Sequence, residues 1–162
     1  MFLKKKKQRK TPNNQERQGD AFKIFTVQDY EKIAQDAVDY AKLFDKNFDY
    51  SDDSIDGMQE ILESVRRQAR RMKLAEDYLW DLSVTFGIYF GQTILKNHLA
   101  EKGYAWKQGS NGIPVVENDK KTNLSPITKI YKHLTQEEEE DIQGFYETSI
   151  LLDEIAQMLL KK

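Results

Sequence analysis

The stretch from Leu79 to Leu95 leaves a chain of this kind few choices. Leu79, Trp80, Leu82, Val84, Phe86, Ile88, Tyr89, Phe90, Ile94 and Leu95 are spread around the helical wheel instead of along one stripe. A helix that is apolar on every side is either enclosed by other elements or crosses a membrane. Asp81 and Gln92 interrupt the run, and a span needs about 18–20 apolar residues. The stretch therefore predicts the central helix of a soluble fold, over about residues 74–101. Ser83, Gly87 and Gly91 recur on it at i, i+4 and i+8. Glycine costs about 1 kcal/mol relative to alanine inside a helix, so two of them need a reason. One reason is close crossing by another element, and the other is approach of a ligand or partner to the backbone. The spacing also matches a membrane dimer motif, but a helix that is no span cannot use it.

The flanking segments supply the layers. Thr26 with Asp29 reads as a capping box, followed by Tyr30, Ile33, Ala34, Ala37, Val38, Ala41 and Phe44 on one helix face. A second helix should start at Ser51, with Asp52, Asp53 and Asp56 at its positive end. Its buried stripe should be Ile55, Met58, Ile61, Leu62, Val65, Ala69 and Met72. After the central helix, Tyr104–Lys107 and Ile113–Val116 flank a turn-rich loop and predict a small hairpin. Trp106 should lay its ring on the central helix, since two strands alone are marginal. Pro114 confines its strand to an edge or begins it, and residues 117–124 read as a polar loop. Ser125-Pro126 should open a short helix, with Ile127, Ile130, Tyr131 and Leu134 on its buried face. A last helix over 135–160 should begin with Thr135 and Glu138 as a capping box. Its stripe would be Ile142, Phe145, Tyr146, Leu152, Ile155, Ala156 and Leu159. The expected fold class is α+β and mostly helical, about five helices with one two-stranded hairpin in the order α-α-α-β-β-α-α.

Charge is divided unevenly. Among 162 residues, 25 Lys and Arg oppose 27 Asp and Glu for a net −2. Residues 1–20 hold seven of the cations and only two acids, a net of +5 that leaves −7 on the rest. These first residues lack apolar periodicity and contain Pro12, Asn13, Asn14 and Gly19, which predicts a flexible basic arm ahead of one domain over 21–162. No apolar core of a secretory signal follows Met1, Phe2 rules out N-myristoylation, and Lys161-Lys162 is no prenylation box. The expected location is the cytoplasm, with no transmembrane segment.

Chemistry is sparsely represented. The absence of cysteine removes disulfides, thiol nucleophiles and Cys-based metal sites. Only His98 and His133 remain as imidazoles, and both read as surface or helix-end residues. No nucleophile elbow, phosphate-binding glycine loop or dinucleotide fingerprint occurs. Glu76, Asp77 and Asp81 stand at helical spacing, which surface carboxylates do more often than catalytic ones. No catalytic residue, cofactor or metal is assigned. Two basic segments could contact polyanions through counterion release: Lys4, Lys5, Lys6, Lys7, Arg9 and Lys10 within residues 4–17, and Arg66, Arg67, Arg70 and Arg71. On a helix the second group also complements the dipole. Anionic lipid would suit the arm equally, at about 1 kcal/mol per lysine. Glu137, Glu138, Glu139, Glu140 and Asp141 read first as a solvated helix start favoured by the dipole, but five acids exceed what one start needs, and the excess keeps a basic partner as the alternative.

Residues 49–146, about 60% of the chain, resemble a bacterial family of small α+β domains of unknown function. The resemblance lies in the acidic Ser-capped segment Asp49-Tyr50-Ser51-Asp52-Asp53-Ser54-Ile55 and in Gly87-Ile88-Tyr89-Phe90-Gly91. It continues in Trp106, in Pro126-Ile127-Thr128-Lys129-Ile130-Tyr131-Lys132 and in the Phe145-Tyr146 pair. The family pattern often has an acid after the second glycine, where this chain has Gln92. The resemblance implies the fold and a bacterial setting, and no activity. The expected function is a non-catalytic protein-interaction or accessory domain of immunity type with an unknown protein partner. The alternative is an accessory binder of nucleic acid or anionic membrane surface acting through the arm.

Overall fold

The computed structural model describes residues 25–136 and 141–161. Six α-helices and one three-stranded sheet occur among them. Helix α1 (Val27–Lys42) begins at the expected capping box: Thr26 Oγ1 accepts from the Asp29 amide at 3.2 Å, and Asp29 Oδ2 accepts from the Thr26 amide at 2.7 Å. Its buried row is Tyr30, Ala34, Ala37 and Ala41, and the three alanines are small enough to bring α1 close to the central helix.

Helix α2 (Ser54–Met72) starts three residues later than the sequence suggests. Tyr50 sits at φ 62°, a left-handed conformation that a bulky residue rarely adopts, and the chain turns before the helix can begin. Asp49 Oδ1 accepts from the Ser51 amide at 3.0 Å, and Ser51 Oγ accepts from the Ser54 amide at 3.3 Å. Ile55 to Val65 of the expected stripe are buried, but Met72 is 71% exposed because the last turn overhangs the body.

The central helix α3 (Glu76–Ile94) is enclosed as its composition requires: every residue from Phe86 to Gly91 is buried. Its continuation is no α-helix. A π-helical turn (Leu95–Leu99) and a 3-10 turn (Ala100–Lys102) follow, and Gly103 at φ 84° reverses the chain. Strand β1 (Ala105–Gln108) pairs antiparallel with β2 (Pro114–Glu117), setting Trp106 opposite Val116. Pro114 begins its strand, as its missing donor requires. The expected polar loop over 117–124 instead ends in a third strand, β3 (Asn123–Leu124), paired antiparallel with β2. The cause is Asn118, buried at 7% exposure: its Oδ1 accepts from the Lys120 and Thr122 amides at 3.0 Å each, which folds the turn back.

Helix α4 (Pro126–Thr135) has its proline in the first turn as expected, although Ser125 makes no side-chain cap. The single last helix is corrected most. Thr135 closes α4, its hydroxyl donating to the Tyr131 carbonyl at 2.7 Å, so it caps nothing; Glu138 lies outside the described residues. Asp141 is the true N-cap, its Oδ1 accepting from the Gly144 amide at 2.6 Å to open α5 (Ile142–Ile150). Gln59 of α2 adds a second cap, with Oε1 2.7 Å from the Ile142 amide. A break at Leu151 then separates α6 (Leu152–Leu160).

The two glycines show why the layers can close. A Cβ on Gly87 would lie 2.7 Å from Ile127 Cα of α4, and one on Gly91 would lie 2.2 Å from Trp106 Cζ2. The ridge is the seat of α4 and of the hairpin tryptophan, so the packing reason holds. Trp106 is also stacked on Tyr30, with centroids 4.7 Å apart and planes within 6°, and its Nε1 donates to Gln92 Oε1 at 2.9 Å. Among the described residues, no helix is long and apolar enough to cross a membrane.

Candidate functional site

Two features stand out from this frame: a polar knot and an uncovered helix. The knot joins three elements. Tyr146 of α5 donates to Asp52 Oδ1 at 2.5 Å. His98 Nε2, on the π-helical turn, lies 2.9 Å from both Asp52 oxygens, and Asn97 Nδ2 is 3.3 Å from Oδ1. Asn97 also donates to the Tyr50 carbonyl at 2.8 Å, while the Tyr50 amide donates to Tyr89 Oη at 2.8 Å. Both polar groups of the left-handed residue are thus held by helix α3 and its continuation. The wider π turn lets two consecutive side chains, Asn97 and His98, reach the same loop, and such turns recur at functional positions.

The electrostatics follow the geometry. Burial pushes the Asp52 carboxyl upward, but hydrogen bonds from Tyr146, His98 and Asn97 outweigh it and leave its pKa below the ordinary value. Tyr146 moves the other way, raised by burial and then by its bond to Asp52. A carboxylate can only accept, so Nε2 of His98 is the donor to Asp52. Among the described residues, no serine or threonine hydroxyl is hydrogen-bonded to His98, and no group of three or more metal-ligating side chains is assembled.

The uncovered feature is α6, which has no buried residue. Ile155 and Leu159, expected in a buried stripe, are 38% and 68% exposed. Leu151 and Met158 are 53% and 70% exposed. At about 100° per residue these four positions share one arc. The body holds the helix at Glu154, beside the arc, where Oε1 accepts from Lys102 Nζ at 3.0 Å, and at Asp153, opposite the arc, where Oδ1 accepts from Tyr104 Oη at 3.4 Å. The body thus grips these polar residues and leaves the apolar arc open.

The sequence-derived candidates are dispersed. Lys4, Lys5, Lys6, Lys7, Arg9 and Lys10 lie outside the described residues, as do Glu137, Glu138, Glu139 and Glu140. Asp141 is occupied as the cap of α5. Arg66 is half-buried and reaches the Gln136 carbonyl at 3.4 Å, apart from the exposed Arg67, Arg70 and Arg71, which line a surface cleft with Ser64 and Gln68. Glu76 accepts from Tyr131 Oη at 2.6 Å. His133 is no surface residue: it is 1% exposed in α4, with Nε2 3.4 Å from Glu63 Oε1. The Asp52–His98–Tyr146 knot escaped the sequence reading because its members are 46 and 94 residues apart and form no local motif. No family model, no curated protein and no solved structure matches this chain.

Proposed function

We propose that this chain is a non-catalytic protein-interaction domain that docks through the apolar arc of α6. The observation that carries the reading is the contrast among helices: α1 to α5 each bury residues, and α6 buries none while exposing Leu151, Ile155, Met158, Leu159 and Leu160. Covering each such side chain is worth about 1.5–3 kcal/mol before the cost of association. A contiguous apolar patch of this kind marks an interaction surface on a soluble protein. The motif resemblance adds a bacterial cytoplasmic setting, and the accessory, immunity-type reading rests on the sparse chemistry and on the oppositely charged arm and body.

The Asp52–His98–Tyr146 knot supports the same reading. Its hydrogen bonds tie the loop before α2, the π turn and α5 together, which fixes the base from which α6 projects. A second reading is favoured by Arg67, Arg70 and Arg71, which stand exposed on one helix and with the arm would contact a polyanion. The experiment is affinity capture from lysate of the source cells with wild-type and Leu159→Glu baits. Retention of one protein by the wild type and its loss from the variant supports docking through α6. Equal recovery by both baits would refute it.

A further inference from the structure

We propose that the cleft beside Tyr50 binds a small zwitterion of the amino-acid class. The cleft has a volume of about 330 Å³ and is lined by Glu31 of α1, Tyr50 of the loop before α2, Gln92 of α3, and Leu95, Lys96 and Ala100 of the turns that follow. No residue of α5 or α6 lines it, so it is independent of the α6 arc. Its volume is at the small end of the range for ligand clefts, which suits a single amino acid.

Charge selects the ligand. Burial, Tyr89 and Glu31 together push the Tyr50 phenol upward, which sets Glu31 near that ring. Lys96 holds its Nζ 5.5 Å from the centroid of the same ring. Opposite charges lining one cleft would ordinarily meet, yet no ion pair joins Glu31 to Lys96 among the described residues. An anion alone would be opposed by Glu31 and a cation alone by Lys96, whereas a zwitterion satisfies both. Gln92 strengthens the donor wall. Its Oε1 accepts from Trp106 Nε1 at 2.9 Å, and an indole can only donate, so Nε2 is the end left for a ligand carboxylate beside Lys96. Asp49 also acts on Lys96 through space, but it lines no part of the cleft, and its Oδ1 holds the Ser51 amide and hydroxyl at 3.0 and 2.5 Å. Leu95, Ala100 and the Tyr50 ring are the apolar surface for a side chain.

The walls are set before any ligand arrives. Tyr50, at φ 62°, has its amide bonded to Tyr89 and its carbonyl to Asn97, and its ring lies 4.8 Å from that of Tyr89. Bulky residues stay left-handed only where their surroundings impose it, and such positions concentrate at ligand sites. Leu95 and Lys96 belong to the π turn, a second departure with the same tendency. Both border this one cleft.

NMR titration of the ¹⁵N-labelled full chain with each of the twenty free amino acids, to about 20 mM, tests this. At least one should give saturable shifts of the Gln92 side-chain amide and of the Glu31 and Lys96 backbone amides. Its N-acetyl form, which lacks the ammonium, and its carboxamide, which lacks the carboxylate, should each bind about threefold or more weakly. Glu31→Gln and Lys96→Gln should each weaken the parent amino acid similarly at an unchanged melting temperature, since both side chains are exposed. Absence of saturable shifts with all twenty overturns the proposal. So do shifts confined to other residues, blocked forms that bind as well as the parent, or variants that bind as the wild type does.

Discussion

Placing the same substitution, Gly→Ala, at three helical positions should produce opposite signs. At Gly57 of α2 a new Cβ would meet Lys46 Cδ and Phe48 Cε1 at 3.5 Å each, ordinary van der Waals contact. The gain in helix propensity is then unopposed, and Gly57→Ala should stabilise by up to about 1 kcal/mol. At Gly91 the Cβ would stand 2.2 Å from Trp106 Cζ2, so the ring must retreat by about 1.5 Å to reach normal carbon separation. The ring cannot retreat freely, being stacked on Tyr30 and bonded to Gln92. Overpacking costs about 1–3 kcal/mol, and loss of the stack and the hydrogen bond adds about 0.5–1.5 kcal/mol each. Against a propensity gain near 1 kcal/mol, Gly91→Ala should destabilise by about 1–5 kcal/mol, centred near 3 kcal/mol. At Gly87 the obstacles are backbone atoms, Ile127 Cα at 2.7 Å and N at 2.9 Å, so α4 itself must shift. Gly87→Ala should cost at least as much as Gly91→Ala. Urea unfolding at constant m-value reads all three as displaced midpoints. Midpoints for Gly87→Ala and Gly91→Ala at or above wild type would refute the packing of α4 and the hairpin on α3.

The polar knot and the buried rings predict the pH response. Asp52 has a depressed pKa, so its stabilising contribution is present above about 3.9 and is lost as pH falls through the folded value. Tyr146→Phe removes one donor to that carboxylate; it should cost about 1 kcal/mol and raise the midpoint of acid unfolding, and an unmoved midpoint would contradict the knot. At the alkaline end, burial raises Tyr30 and Tyr104 to about 12, and Tyr40, Tyr50, Tyr89 and Tyr146 are raised as well. Stability should therefore fall as pH rises from about 10 towards 12, and absorbance titration should show these phenols ionising late and with unfolding. Early, reversible ionisation of all eight tyrosines would refute their burial. If the polyanion reading is right, single-stranded DNA binding through about five arm cations should fall with log salt at a slope of about −3.5 to −4.5, and a protein beginning at Ala21 should lose it.

How much the sequence discloses depends on the range of the interaction. The capping box at Thr26, the enclosed central helix, the glycine ridge and the Trp106 contact were all legible, because each follows from local spacing or from a residue type with a single physical use. What failed was decided at a distance. The start of α2 depends on a left-handed Tyr50 held by Tyr89 and Asn97, 39 and 47 residues away. The third strand depends on the buried side chain of Asn118, and composition alone reads that segment as a loop. Helical periodicity identified the apolar face of α6 correctly but could not say that it stays exposed, since Ile155 and Leu159 have the same spacing whether buried or exposed. The knot was invisible for the same reason: Asp52 reads as a dipole acid and His98 as a helix-end residue until the fold brings them together.

The most direct test of the α6 surface uses the absence of cysteine. Met158→Cys supplies the only thiol in the chain, at a position 70% exposed, for a polarity-sensitive fluorophore. Emission should be water-like in dilute protein. Adding extract of the source cells should shift it to the blue and reduce iodide quenching. The same fluorophore at Lys120→Cys, on the exposed turn between β2 and β3, should not change. If the label at 158 stays as exposed as the one at 120 in extract, α6 is not a docking surface.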